Sequence, residues 1–286
     1  MTIGILMYAH NSQFVDYALM SIISGGLAKK HLAVPASLVT DLSTMEWMQE
    51  SNILQKANSV FEHIIIVDRP VTDNRRTLCD GKTQAVVPFV NSNRASAYDL
   101  TPYNRTLLID SDYLIFSNRL AEYWNVDQDV LIGQSINDIY VGDRLGYNDR
   151  YISETGVKLY WATTVMFTKN NTSKIFFDTV NFVKEHYSYY ADLFRFDSRQ
   201  FRNDIAFSVA KHILDGFKSS AVGTLPPVLT TLDTDVLTSV DHDRLTFLIA
   251  APLSEKYIPT SISNTDIHIM NKQSVIRHAD QLMEML

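Results

Sequence analysis

The sequence predicts an α/β fold whose central sheet is mostly parallel and flanked by helices. Three apolar runs, at residues 3–9, 63–68 and 106–109, are short and nearly continuous, as strands covered on both faces are. Between the first two runs, apolar residues recur at helical spacing from Val15 to Ile22. Strands that alternate with helices favour right-handed crossovers within one parallel sheet.

The other expected elements continue this alternation along the chain. Before the central strand at 106–109 we expect a strand at residues 35–39, a mostly helical stretch at 45–61, a loop at 69–81 and a helix at 82–90. After it we expect a short helix at 120–124, a strand at 130–132, a functional loop at 136–154, strand structure at 157–167 and a terminal helix at 274–286. Ser173 and Asn203 are expected to cap two further helices.

Composition narrows the class of protein. The chain has 286 residues, of which 46% are hydrophobic, so we expect one compact domain over residues 1–286. A net charge of -7 differs from the net positive charge that is typical of proteins that bind nucleic acid or an anionic membrane. The single cysteine, Cys79, excludes an internal disulfide and a cysteine-rich zinc site. With neither a basic leader nor an apolar run of membrane-spanning length, we expect a soluble, cytoplasmic protein.

Two carboxylates follow the central strand. Asp110 and Asp112 come directly after the buried run at 106–109, and open α/β sheets bind ligands outside the carboxyl ends of such strands. Hard oxygen ligands suit Mg²⁺ or Mn²⁺, and such a cation suits phosphate oxygens. Two acidic residues in a loop are also commonly solvated or act as caps, so the surrounding sequence has to support the metal interpretation.

The segments around these carboxylates resemble those of GT-A fold glycosyltransferases, in particular the glycogenin-like and bacterial galactosyltransferase-like enzymes. The resemblance lies in Arg94 and the segments 5–11, 107–115, 160–167, 202–207 and 267–272, which appear in the order that the family uses. It implies a GT-A (Rossmann-like) fold with a small antiparallel β element. Residues 1–118 would then form the nucleotide-binding half, and residues 119–286 the acceptor side and the C-terminal metal and diphosphate element.

The resemblance also implies an activity, which is metal-dependent transfer of a sugar from a nucleoside diphosphate sugar, with a uridine donor expected, to a hydroxyl acceptor. Asp110, Asp112 and His268 would bind Mn²⁺ or Mg²⁺, and Asp204 would be the catalytic residue near the sugar. The donor would be bound by Tyr8, Ala9, Asn11, Arg94, Ser111 and Lys272. Retention of the anomeric configuration is the preferred stereochemistry.

The sequence departs from the family pattern at several positions. Residues 161–164, Trp-Ala-Thr-Thr, replace the usual small amide triplet beside the donor sugar, and Lys272 lacks the common Pro-Trp ending. The Arg75-Arg76 pair and the aromatic loop around Tyr140 and Tyr147 have no counterpart; either they serve acceptor binding or they are solvated.

Two other functions remain as alternatives, a sugar-phosphate nucleotidyltransferase and a non-catalytic nucleotide-sugar binding protein. The first expects a glycine-rich loop after the opening strand, which residues 8–12 do not provide. The acceptor is left open among a glycan, a protein, a small molecule and a modified base in DNA.

Overall fold

A computed structural model describes residues 2–69, 73–81, 83–154, 156–196, 200–216, 222–242, 244–251 and 256–286. Its α-helices are α1 (Tyr17–Leu32), α2 (Leu42–Glu50), α3 (Leu54–Val60), α4 (Ala97–Leu100), α5 (Asn171–Glu185), α6 (Tyr187–Phe194), α7 (Asn203–Asp215), α8 (Lys272–Arg277) and α9 (Ala279–Met283). Short 3₁₀ helices cover Arg94–Ser96, Arg119–Asn125 and Tyr147–Asp149. Its strands are β1 (Ile3–Tyr8), β2 (Ala36–Thr40), β3 (Phe61–Ile66), β4 (Arg75–Asp80), β5 (Thr83–Pro88), β6 (Arg105–Ile109), β7 (Tyr113–Leu114), β8 (Val130–Gly133), β9 (Ile136–Asp138), β10 (Trp161–Thr168), β11 (Val222–Leu225), β12 (Val228–Thr230), β13 (Val236–Asp241), β14 (Arg244–Ala250), β15 (Tyr257–Ser263) and β16 (Ile267–His268).

A seven-stranded sheet in the order β11-β8-β10-β6-β1-β2-β3 forms the centre of the fold. Its paired strands are parallel except at β10, which runs antiparallel to both of its neighbours, β6 and β8. The predicted α/β class with a mostly parallel sheet is therefore confirmed. Every residue of β6 is buried, so the two carboxylates that follow it lie at the end of an interior strand.

Helices cover this sheet on both sides, because alternate residues of each interior strand enter two different apolar cores. Ile5 and Leu107 belong to the core under α1, whereas Leu6 and Leu108 belong to the core under α5 and α7. Apolar side chains cover both faces of β1 and β6, and this burial explains their uninterrupted apolar sequence.

A second, four-stranded sheet in the order β7-β16-β12-β9 brings the C-terminal part of the chain to the end of β6. Strand β16 pairs antiparallel with β7, so that His268 lies opposite Tyr113, the residue after Asp112. An antiparallel three-stranded sheet, β13-β14-β15, completes this side of the molecule. The expected small antiparallel element is thus present.

The helix predicted at residues 82–90 is wrong. Residues Thr83–Pro88 form strand β5, which pairs antiparallel with β4 from Arg75↔Pro88 to Asp80↔Thr83. Threonine and valine favour strands, and Gly81 has a φ of 61°, a left-handed conformation that glycine adopts without steric cost. Part of the expected loop at 69–81 is likewise strand β4, and its residues 70–72 lie outside the described residues.

Helix boundaries also differ from the sequence expectations. The stretch at 45–61 is two helices, because Asn52 adopts a φ of 58° that ends α2. The terminal helix is likewise divided into α8 and α9. Helix α5 is capped by Asn170, whose side chain accepts from the Ser173 amide, and Arg202 occupies the N-cap position of α7. Among the described residues, no helix has both the length and the apolar character that crossing a membrane requires.

Candidate active site

The segment Asp110-Ser111-Asp112 is a tight turn between β6 and β7. The Tyr113 amide donates to the Asp110 carbonyl at 3.2 Å, and the Asp110 amide donates to the Thr163 carbonyl of β10 at 3.1 Å. On the other side, the Ile269 amide donates to the Asp112 carbonyl at 2.9 Å. Main-chain hydrogen bonds from the central sheet and from the C-terminal segment therefore fix the position of both carboxylates.

Asp110, Asp112 and His268 could together hold a metal ion. One ligand atom from each residue lies within 4.8 Å of the other two. The Nε2 atom of His268 is 3.1 Å from Oδ1 of Asp112, and both side chains are buried. Two carboxylates and an imidazole suit Mn²⁺, and carboxylates suit Mg²⁺. The family resemblance predicts that His268 lies beside the two carboxylates, and the fold brings it there.

Lys272 pairs with the same carboxylate. Its Nζ atom lies 2.5 Å from Oδ2 of Asp112, and the lysine is 1% exposed. Burial alone would raise the pKa of the Asp112 carboxyl, but the ammonium of Lys272 and the imidazole of His268 hold that pKa well below its usual value. Asp112 is therefore a buried anion.

Arg94 neutralises the second carboxylate. Its Nη1 atom donates to Oδ1 of Asp110 at 2.8 Å from the 3₁₀ helix Arg94–Ser96, and the arginine is 3% exposed. The Nε and Nη2 atoms of Arg94 are buried and have no hydrogen-bond partner among the described residues. A buried guanidinium with free donors beside a cavity is suited to a bound oxyanion or hydroxyl.

Asp204 is held by its neighbour in the chain. The Nε atom of Arg202 donates to Oδ1 of Asp204 at 3.1 Å, and its Nη2 atom donates to Oδ2. The Ile205 amide donates to Oδ1 as well, at 2.9 Å. The Asp204 carboxylate raises the pKa of Arg202, although burial works against the charge of the arginine. Asp204 is therefore an oriented anion with both oxygens engaged.

One cavity of about 450 Å³ unites most of the predicted site. It is lined by eight of the predicted residues, which are Tyr8, Arg94, Asp110, Ser111, Asp112, Asp204, His268 and Lys272. Ala9 is fully buried and Asn11 accepts from the Ala18 amide of α1 at 2.7 Å; neither residue lines the cavity. At the cavity Tyr8 is held by a 3.0 Å hydrogen bond between its hydroxyl and Ser96 Oγ.

Some of the residues at which the sequence departs from the family pattern line this cavity. Trp161, Ala162 and Thr163 line it, and the indole Nε1 of Trp161 is buried without a partner among the described residues. Arg75 and Arg76 also line it. Tyr140 and Tyr147 are not among the lining residues; Tyr140 lies under the guanidinium of Arg144, 5.5 Å from its ring centroid, and Tyr147 stacks on Tyr151 at 4.6 Å.

Two cavity residues that the sequence does not indicate, Tyr17 and Phe89, contact Arg76. Arg76 lies within hydrogen-bonding reach of the Tyr17 hydroxyl, and its guanidinium is stacked on Phe89 at 5.0 Å from the ring centroid. Burial opposes the charge of Arg76, but Tyr17 and Asp112 raise its pKa. In the sequence, only the Arg75-Arg76 pair indicates this part of the cavity. Because a helix is predicted at 82–90, the hairpin that carries the pair was not expected.

No protein-family model matches the chain, and no curated protein matches it. Several solved structures are similar in fold. The galactosyltransferase LgtC, in complex with donor and acceptor sugar analogues, is 14% identical, with 77% of this chain and 72% of LgtC covered and a TM-score of 0.44. The glycosyltransferase GlyE from Streptococcus pneumoniae TIGR4 is 10% identical, with 79% of this chain and 45% of GlyE covered and a TM-score of 0.40. A fragment of TarS from S. aureus is 15% identical, with 73% of this chain and 55% of the fragment covered and a TM-score of 0.36.

Proposed function

We propose that this chain is a metal-dependent glycosyltransferase that moves a sugar from a nucleoside diphosphate sugar to a hydroxyl acceptor, with a uridine donor expected. The observation that carries the proposal is the meeting of Asp110, Asp112 and His268 within 4.8 Å, in a cavity whose volume of about 450 Å³ suits a small molecule. A simple sugar-binding protein would not need this set of metal ligands.

The charges around the cavity fit a departing diphosphate. When bound by Asp110, Asp112 and His268, Mn²⁺ or Mg²⁺ supplies Lewis-acid stabilisation of the negative charge that develops on the leaving group. Because the cation offsets the two carboxylates, the positive charges of Lys272 and Arg94 are then available to phosphate oxygens. Both side chains are buried, which strengthens such contacts compared with those of a solvated side chain.

The donor sugar is proposed to lie between the carboxylates and the start of α7. Asp204 lines the same cavity as Asp110, and the two hydrogen bonds from Arg202 orient its carboxylate. Asn203 adds a buried Oδ1 atom with no partner among the described residues, an acceptor suited to a sugar hydroxyl. We propose that Asp204 contacts the sugar and that Arg202 fixes the orientation of its carboxylate.

The acceptor is proposed to enter beside Gln200 and Phe201, which line the cavity next to Asp204's segment. An aromatic ring beside a polar group suits the apolar face and the hydroxyl edge of a carbohydrate. The proposal includes retention of the anomeric configuration, which proton NMR of the freshly formed product distinguishes from inversion.

A thermal-shift panel of nucleotide sugars, each with and without Mn²⁺, tests the proposal directly. A ligand that binds only the folded chain adds about 2.7 kcal/mol of stability at a hundred times its Kd, which is several degrees of Tm. We expect a shift with uridine diphosphate sugars that requires the metal, and release of uridine diphosphate on longer incubation. The Asp110→Asn variant is the matched control. A panel in which no nucleotide sugar stabilises the chain, with or without Mn²⁺, would overturn the proposal.

A further inference from the structure

The β4–β5 hairpin (Arg75–Asp80 and Thr83–Pro88) connects the cavity to the C-terminal helix α8. Side chains of a strand alternate between its faces, so Arg76, Leu78 and Asp80 share one face of β4. These three are half-buried; on the opposite face Arg75 and Thr77 are exposed, whereas Cys79, next to the turn, is buried. The face of Arg76 has a cation at its cavity end and a carboxylate at its turn end.

Asp80 forms a bidentate ion pair with α8. The Nη1 atom of Arg277 donates to Oδ2 of Asp80 at 2.6 Å, and its Nη2 atom donates to Oδ1 at 2.8 Å. This fork geometry is the strong form of a carboxylate contact. Hydrogen bonds from Arg277 hold the pKa of Asp80 below its usual value, so the pair is charged at neutral pH.

Asn271 connects the same carboxylate to the metal and diphosphate segment. Its Nδ2 atom donates to Oδ1 of Asp80 at 3.3 Å, and its Oδ1 atom accepts from the Ser274 amide at 3.1 Å as the N-cap of α8. Asn271 is fully buried and directly precedes Lys272. The hairpin is therefore attached to the segment that carries the ligand His268 and the cation Lys272.

A two-stranded hairpin has little stability of its own, so its position depends on such anchors. The base of the hairpin is held by the Asn74 carbonyl, which accepts from the Phe89 amide at 2.8 Å. At the turn end, Asp80 pairs with Arg277 of α8, and Cys79 beside it is buried. Leu78, between the two ends of the hairpin, packs on the apolar core under α1.

We propose that the Asp80–Arg277 ion pair is a latch that holds the β4–β5 hairpin over the cavity, so that Arg76 faces the diphosphate of the donor. In this proposal, which rests on the proposed function, Arg76 binds the diphosphate and Asp80, Arg277 and Asn271 are positioning residues. Arg76 is suited to the task because it lines the same cavity as Asp112, and a guanidinium matches phosphate oxygens in shape and charge.

The experiment measures binding of uridine diphosphate with Mn²⁺ by calorimetry in five proteins. These are the parent, Arg277→Gln, Arg76→Gln, the double variant and Lys174→Gln. Lys174 pairs with Asp178 on α5 in an exposed ion pair, and its variant controls for the loss of one surface cation. We expect Arg277→Gln and Arg76→Gln each to weaken binding about three- to thirtyfold, and Lys174→Gln to leave it unchanged.

The decisive result is whether the effects of Arg277→Gln and Arg76→Gln on nucleotide binding are additive. If Arg277 acts through Arg76, the double variant binds no more weakly than Arg76→Gln, whereas independent effects multiply. In a sixth protein, Arg277→Lys, binding restored to that of the parent supports an electrostatic latch, whereas multiplied effects in the double variant overturn it. Affinity for Mn²⁺ alone should stay unchanged in Arg277→Gln, since that residue is not among the proposed metal ligands.

Hydrogen exchange of the ligand-free protein separates the latch from the proposed function. Arg277→Gln should speed amide exchange in the described part of 75–88 while leaving the exchange of β6 unchanged. Unchanged exchange in the hairpin overturns the latch even if nucleotide binds. Absence of nucleotide binding in the parent overturns the proposed function and the role of Arg76 in it.

Discussion

The Nζ atom of Lys272 lies 2.5 Å from Oδ2 of Asp112, and both side chains are almost completely buried. A metal ligand of the proposed site is therefore also half of a buried ion pair. Removing one partner of such a pair leaves an uncompensated charge inside the protein, whereas removing both does not. Stability and metal binding are consequently coupled at Asp112.

We therefore expect Asp112→Ala to lower the free energy of unfolding by about 3–5 kcal/mol, because the buried ammonium of Lys272 loses its partner. Urea denaturation measures this change. The double variant Asp112→Ala with Lys272→Met should recover part of the loss, since the unpaired cation is gone. Asp178→Ala, which breaks an exposed pair with Lys174, is the control and should cost less than about 1 kcal/mol. A double variant as unstable as Asp112→Ala would contradict this account.

Metal binding should depend on Asp110 and His268 with less effect on the fold. The Asp110 side chain is 32% exposed, and Asp110→Asn keeps an oxygen that accepts from Arg94. We expect Asp110→Asn and His268→Gln each to weaken Mn²⁺ binding at least tenfold, measured by calorimetry without nucleotide. His242→Gln, at an exposed turn, is the matched control for loss of an imidazole. Unchanged affinity in His268→Gln would remove that residue from the site.

Turnover, more than donor binding, should depend on Asp204. Its carboxylate is oriented by Arg202 and faces the cavity, so Asp204→Asn keeps its shape but removes the charge. We expect kcat for the transfer reaction to fall about a hundredfold while the KM for the donor changes less than threefold. Arg202→Met should give the same pattern in weaker form, because Asp204 remains but is less well oriented. A large change in KM with kcat unchanged would instead assign Asp204 to donor binding.

Part of this site could be predicted because it depends on short-range patterns. Asp110 and Asp112 follow a strand that is apolar throughout, and burial on both faces of β6 explains that pattern. His268 and Lys272 could not be placed beside them by periodicity. Their approach depends on the pairing of β16 with β7, two strands of two residues each, and only the family resemblance indicated it.

The hairpin shows why other parts could not be predicted. Residues 82–90 contain alanine and valines at positions that satisfy a helical period and an alternating one equally well. Pairing with β4 makes this segment a strand, and the ion pair that anchors β4 joins Asp80 to Arg277, far away in the sequence. Asp204 lies in the first turn of α7, where the helix dipole favours an acid, and in the structure Arg202 pairs with it as well.

The pH dependence of stability should reveal the buried imidazole of His10, which is 0% exposed. Burial lowers the pKa of His10, and Asp41, 3.1 Å from its Nδ1 atom, only partly opposes this effect. The unfolded chain, with an ordinary histidine pKa of about 6.5, then binds the proton more tightly than the folded chain does. The stability that this residue contributes is therefore fully present above about pH 6.5 and is lost as the pH falls below it, by up to about 1.4 kcal/mol per pH unit.

Urea denaturation from pH 7 to about pH 5 measures this loss. The free energy of unfolding should fall less steeply with pH for His10→Gln than for the parent, while His242→Gln should match the parent. Equal slopes in all three proteins would show that His10 takes up its proton as readily in the folded chain as in the unfolded one.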